Sequence, residues 1–198
     1  MIAALLLAAG LSKRFGAPKL LVELEGRPLV RWSAEALVER SGGEPIGEVV
    51  VVTGREDAAI RRALHGLAVR FAVNATPEQG MGGSIACGIA AMGADVRAVV
   101  IALADEPRPS RSALEQVVRR YLAGEGGRGT AIVVPTFRGV PGHPVLFDRS
   151  VFEELLRLRG DRGAREVVQR DATRVAVLPL TDEAPNDVDV PGDLGRFA

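Results

Sequence analysis

Short uninterrupted apolar runs, separated by amphipathic stretches, set the pattern of this chain. Residues 2–7, 48–53, 68–73, 98–103, 130–135 and 174–178 are strand-length runs dominated by Val, Ile, Leu and Ala. Several lack polar alternation, which predicts parallel strands covered on both faces. Between them, residues 29–40, 57–64, 84–92 and 110–122 carry apolar positions at helical spacing, with Ser110 standing where an N-cap belongs. Strands alternating with helices predict an α/β domain with a mainly parallel sheet, whose ligands sit beyond the carboxyl ends of the strands. Beyond Thr136 the alternation weakens. Residues 149–159 and 162–170 read as helices there, and the region is expected to form a substrate lid or dimer surface. Residues 124–129 (GEGGRG) read as a flexible connector. The length of 198 residues suits a single domain spanning 1–198.

Composition narrows the function classes. Lys plus Arg and Asp plus Glu number 25 each, so no global field steers the protein to nucleic acid or to an anionic membrane. The aromatic share of 4% is low for a protein that stacks bases. Any phosphate binding must come from a local cluster. The single cysteine, Cys87, excludes an internal disulfide and a thiolate zinc site, and points to a reducing cytoplasm. The apolar start at 2–9 is too short to span a bilayer, and its positive charges, Lys13 and Arg14, follow it rather than precede it.

The first run leads straight into the densest chemistry, LAAGLSKRFGAPK at residues 7–19. A strand ending in a glycine-rich basic loop presents backbone N–H groups and cations to one space, which is how polyphosphates are held. The plain alternative is a strand-to-helix turn with solvated charges. Five residues separate Gly10 from Gly16 and Leu20 follows Lys19, so the segment is not a P-loop; GMGGSI at 80–85 does not have dinucleotide GxGxxG spacing. Asp105 follows an apolar run, placing a carboxylate at a strand's carboxyl end. Magnesium favours one or two carboxylates with phosphate oxygens and water. Asp187 and Asp189 alternate, so an extended chain points both to one side. One of them, with Asp189 preferred, completes a metal site, or else an aspartate here caps the helix near Pro191. Cys87 reads as core and His65 as an exposed helix-end residue.

Six motifs in order resemble the MobA-like nucleotidyltransferase family, and within it the molybdopterin cytidylyltransferase branch. They are Leu7-Ala8-Ala9-Gly10 with Ser12, Arg14, Gly16 and Lys19; Gln79-Gly80-Met81 with Ser84; Leu103-Ala104-Asp105-Glu106-Pro107; Gly142-His143-Pro144-Val145; GDRGAR at 160–165; and Asn186-Asp187-Val188-Asp189. The resemblance implies a Rossmann-like three-layer α/β/α nucleotidyltransferase fold and a magnesium-dependent enzyme. It would transfer CMP from CTP, or GMP from GTP, to a phosphorylated pterin and release pyrophosphate. Its product would pass to a molybdoenzyme or that enzyme's chaperone. By the same resemblance, the backbone around Leu7, Ala8, Ala9 and Gly10 contacts base and ribose, and Arg14 and Lys19 hold the β- and α-phosphates. Gln79, Gly80 and Ser84 approach the nucleotide, and Asp105 with Asp189 or Asp187 holds the metal. His143, Asp161 and Arg165 face the acceptor. LAAG implies cytidine where LAGG implies guanosine; the Ala9 methyl leaves less room for a purine, a difference of ~1–3 kcal/mol.

The chain departs from the branch at Gly82-Gly83, at Pro141 where an arginine is common, at Glu106, and at residues 190–193. Sibling acceptors are a sugar phosphate or methylerythritol phosphate. Two readings from other classes are an oxidoreductase acting on an aromatic pigment and a non-catalytic nucleotide or pterin carrier. A carrier has no need of the full set of Arg14, Lys19 and Asp105.

Overall fold

The computed structural model describes residues 1–39, 46–124 and 130–197. Among the described residues there are ten strands and six helices. They run β1 (Ile2–Ala8), β2 (Glu23–Leu24), β3 (Arg27–Pro28), α1 (Leu29–Val38), β4 (Ile46–Thr53), α2 (Asp57–Ala63), β5 (Arg70–Val73), α3 (Met81–Ala90) and β6 (Ala98–Leu103). The second half adds α4 (Arg111–Ala123), β7 (Ile132–Phe137), β8 (Val140–Pro141), β9 (Val145–Asp148), α5 (Phe152–Leu156), α6 (Arg165–Arg170) and β10 (Val175–Leu180). Residue 40 and the connector from 125 onward lie outside the described residues. Ser110 caps α4 as its position predicts, its hydroxyl accepting from the Ala113 N–H at 3.0 Å.

The main sheet has the order β10-β7-β9-β6-β1-β4-β5, with β8 paired to β7; β2 and β3 form a separate hairpin. The pairs β1–β4, β1–β6, β4–β5 and β7–β10 are parallel. Adjacent residues of one strand face opposite layers. Leu5 packs with Ile85, Ile89 and Leu155 on one side, while Leu6 packs with Val30, Ala34 and Ile60 on the other. Two helical layers thus enclose a mostly parallel sheet, the α/β/α arrangement that the apolar runs predict. Among the described residues no helix is long and apolar enough to cross a membrane.

The region after Thr136, expected as a substrate lid or dimer surface, contributes strands to the main sheet. It completes the sheet: β9 enters antiparallel between β6 and β7, with Val145 opposite Ile101 and Phe147 opposite Ile132. Phe147 is fully buried among the residues that also cover α5. This direction brings residues 142–144 beside the carboxyl end of β6.

Register places the site. Leu7 pairs with both Val52 and Leu103, and Thr53 pairs with Ala8 and Val73. The chain therefore leaves β1, β4, β5 and β6 at one edge. The chain order reverses at β1, whose neighbours β4 and β6 lie on opposite sides, and ligands of such sheets bind in the crevice at that point.

Outside the sheet, Glu154 of α5 accepts from Arg174 at 2.8 Å and from Arg170 at 2.9 Å, tying α5 to α6 and to the start of β10. The Arg174 guanidinium, and then Arg170, hold the Glu154 carboxyl below its usual range. Its stabilising contribution is complete above the unfolded value of about 4.3 and is lost as pH falls through the lower folded value. Glu154→Gln should lower stability at neutral pH by about 1.5–3 kcal/mol, and the deficit should shrink in acid. Urea unfolding of both proteins across this range checks it; an equal deficit in acid would sink the assignment.

Candidate functional site

The loop leaving β1 is closed by its own residues. Ser12 has a φ of 50° and Gly16 a φ of 75°, both in the left-handed region. The Ser12 carbonyl accepts from the N–H groups of Phe15 and Gly16 at 3.0 and 3.3 Å, and its hydroxyl accepts from the Lys19 N–H at 3.2 Å. Ser12 therefore braces the loop. Lys19 opens a single 3₁₀ turn, Lys19–Leu21, whose buried Leu20 packs with Val30 and Ile60. That anchor fixes where the lysine side chain emerges.

Two carboxylates meet this lysine. Asp105 follows β6, and its carbonyl accepts from the Val188 N–H at 3.0 Å. Val188 is fully buried with Leu24, Leu29 and Phe197, so the chain near 188 is pinned across the sheet edge. The next residue, Asp189, is thereby delivered to the site. Lys19 Nζ lies 2.8 Å from Asp105 Oδ2 and 3.5 Å from Asp189 Oδ1, and Arg14 donates to Asp189 Oδ2 at 2.9 Å. Two carboxylates within reach of one cation, open to a cleft, suit a divalent ion that takes its remaining ligands from phosphate and water. Among the described residues no group of three His, Cys, Asp or Glu side chains is arranged for a metal.

A capping aspartate is also present, but it is Asp193. Its carboxylate accepts from the N–H groups of Asp189 at 2.8 Å and Val190 at 2.9 Å. Those bonds, the Val190 N–H foremost, hold the Asp193 carboxyl below the usual range. Asp189 is left with both oxygens facing Lys19 and Arg14. Asp187 is exposed and stands outside this cluster.

The opposite wall is built by close backbone contact. The Gly82 N–H donates to the Gly160 carbonyl at 2.8 Å, and the Gly160 N–H donates to the Gln79 carbonyl at 3.1 Å. A Cβ on Gly80, whose φ is 96°, would lie 2.4 Å from the Gly160 carbonyl carbon; one on Gly82 would lie 2.8 Å from the Arg159 nitrogen. The glycine at 82, a departure from the branch pattern, is what lets α3 sit on residues 159–160. Ser84 is buried, and its hydroxyl accepts from Asn74 Nδ2 at 3.0 Å. Asn74 carries no motif and is missed by sequence reasoning. Its only signal is a polar residue directly after an apolar strand run.

A cleft of about 440 Å³ joins Leu7, Ala9, Gly10, Ser12, Arg14, Lys19, Gly80, Ser84, Asp105, Asp161 and Asp189. Ala8 instead lines a neighbouring cavity of about 360 Å³, between the loop and residues 54–56. Gln79 and Arg165 are exposed outside the cleft lining. His143 is half-buried beside β6, its Nδ1 3.5 Å from Glu106 Oε1. Cys87 packs against the core and burial pushes its thiol up, away from thiolate chemistry. His65 is exposed just after α2.

Over residues 4–175 the chain matches the family described as the MobA-like NTP transferase domain. The purine catabolism protein PucB of Bacillus subtilis (strain 168) is 30% identical over 204 residues, 93% of this chain and 90% of PucB. The crystal structure of Rv0371c from Mycobacterium tuberculosis H37Rv superposes with a TM-score of 0.83 at 26% identity, covering 99% of this chain and 96% of that one. Rv0371c has also been solved in complex with manganese, with a TM-score of 0.79 at 24% identity over 99% of this chain and 97% of that one. The molybdopterin-guanine dinucleotide biosynthesis protein A of Archaeoglobus fulgidus shares the fold, with a TM-score of 0.68 at 20% identity over 100% of this chain and 96% of that one.

The adjacent glycines of α3 should respond oppositely to alanine. Gly82→Ala forces α3 off residues 159–160 and should cost about 1–3 kcal/mol. A Cβ on Gly83 meets only Asn74 Nδ2 at 3.8 Å. Gly83→Ala should therefore be neutral or gain up to about 1 kcal/mol from helix propensity. Urea midpoints of the two variants decide it, and equal effects would refute the close-contact account.

Proposed function

This chain belongs to the MobA-like NTP transferase family, and from that premise we propose that it transfers CMP from CTP to molybdopterin with Mg2+ and releases pyrophosphate. The observation that carries this reading is the Lys19 ammonium, held 2.8 Å from Asp105 and 3.5 Å from Asp189 beneath a glycine-rich loop. Cations for a triphosphate and carboxylates for a divalent ion occupy one corner of one cleft. The Rv0371c complex with manganese supports a divalent ion in a relative. The whole described chain acts as a single unit, because strands from both halves form the main sheet. A single free thiol and a nucleoside triphosphate substrate support action in the cytoplasm.

In such a transfer a phosphate oxygen of the acceptor attacks the α-phosphorus and the bond to pyrophosphate breaks. The nucleophile is already ionised at neutral pH, so no strong general base is required. The barrier is electrostatic: two anions approach while charge grows on the leaving group. Arg14 and Lys19 place positive charge on the phosphate side of the cleft. The backbone at Ala9 and Gly10 lines the cleft where base and ribose would bind, and the preference for cytidine rests on the LAAG motif. Ser84, held by Asn74, faces the nucleotide from the other wall. Asp161 at the cleft forms the acceptor side, and His143 and Arg165, which stand outside its lining, would reach the acceptor from there. Asp105 and Asp189 would hold the metal, which when bound neutralises phosphate charge.

Purified protein given Mg2+, molybdopterin and either CTP or GTP should release pyrophosphate faster with CTP. Faster release with GTP moves the reading to guanylyl transfer, and release with neither nucleotide refutes both. Asp105→Asn should lower turnover by about 10²-fold or more while nucleotide binding survives in part. Full activity in that variant would overturn the metal assignment.

A further inference from the structure

Every cation assigned to the triphosphate is paired with a carboxylate assigned to the metal. Lys19 touches Asp105 and Asp189, and Arg14 takes the second oxygen of Asp189. The two positions differ in burial. The Lys19 side chain is only 11% exposed, whereas that of Arg14 is 75% exposed. Adjacent carboxylates repel unless a cation stands between them. Here the cation is the lysine itself.

A divalent ion would bind through the same oxygens that Lys19 contacts. Ammonium and metal cannot share them, because like charges at that separation repel strongly and each oxygen offers few lone pairs. A nearly buried ammonium also cannot leave without another anion to receive it. A triphosphate arriving under the glycine loop supplies that anion.

We propose that Lys19 stands in for the metal: without nucleotide its ammonium closes the Asp105–Asp189 site to divalent cations, and a bound triphosphate opens it by drawing the ammonium away. The inference rests on the assignment of Lys19 to phosphate and of Asp105 and Asp189 to metal. It makes binding of metal and nucleotide mutually reinforcing, since each favours the rearrangement that the other needs. Metal alone binds weakly; metal with triphosphate binds well.

The test uses Mn2+ alone, with no nucleotide, and follows the paramagnetic signal of the free ion during titration with protein. Lys19→Met should bind Mn2+ more tightly than the wild type, by about tenfold to a thousandfold, the range over which one adjacent unit charge shifts an ionic equilibrium. Arg14→Met removes the same charge from an exposed position touching one carboxylate, and should gain much less. In Lys19→Met combined with Asp105→Asn the gain should vanish. The inference is overturned if Lys19→Met binds Mn2+ no better than the wild type, if Arg14→Met gains as much, or if the gain survives Asp105→Asn. Should Lys19→Met fail to fold, Lys19→Gln, which keeps an amide donor without the charge, carries the same expectation. The readout involves neither nucleotide nor turnover. Tight binding of Mn2+ by the unmodified protein therefore overturns this inference alone, whereas absent pyrophosphate release overturns the proposed reaction alone.

Discussion

One ammonium between two carboxylates organises the carboxyl edge of this sheet. Asp105 reaches it from the end of a central strand, Asp189 from a segment far along the chain, and Lys19 from a short turn anchored by Leu20. Removing Lys19 leaves Asp105 beside the cleft without its cation, the costly state for groups partly withdrawn from water, whereas Asp189 keeps Arg14. The surrounding structure serves that meeting. The shared register of β1, β4 and β6 brings the loops to one edge, and the buried Val188 holds the acidic segment in place.

The sheet's central strands were legible because they are buried on both faces. A strand covered by helices above and below needs apolar side chains in both directions, so β1, β4 and β6 read as unbroken runs. β9 was not legible. It has four residues, follows a Gly-His-Pro segment, and owes its place to pairing with β6 and β7 rather than to local pattern. The lid or dimer surface expected beyond Thr136 was the result, since a short strand inserted between distant partners leaves almost no periodic signal.

The candidate site divides along the same line. Arg14, Lys19 and Asp105 stand at strand ends or in a dense motif, where chemistry and position coincide. Whether Asp187 or Asp189 binds metal or caps the next turn could not be told by type, because a capping carboxylate and a metal-binding carboxylate are the same group. Backbone N–H donors at 2.8 and 2.9 Å occupy Asp193, and cations occupy Asp189. Only tertiary structure assigns those partners. Asn74 and the contact of Gly82 with residues 159–160 are hidden for the same reason: both depend on a neighbour remote in sequence.

The route taken by the acidic segment has a consequence for how the protein is made. Val188 docked against Asp105 holds Asp189 at the cleft, and this segment follows every strand of the sheet in the chain, so it leaves the ribosome after them. A growing chain long enough to form β1 through β10 already carries the glycine-rich basic loop, with Asp189 still to come. In such a chain Lys19 and Arg14 have yet to meet Asp189, so the cations of the cleft precede half of their anionic partners.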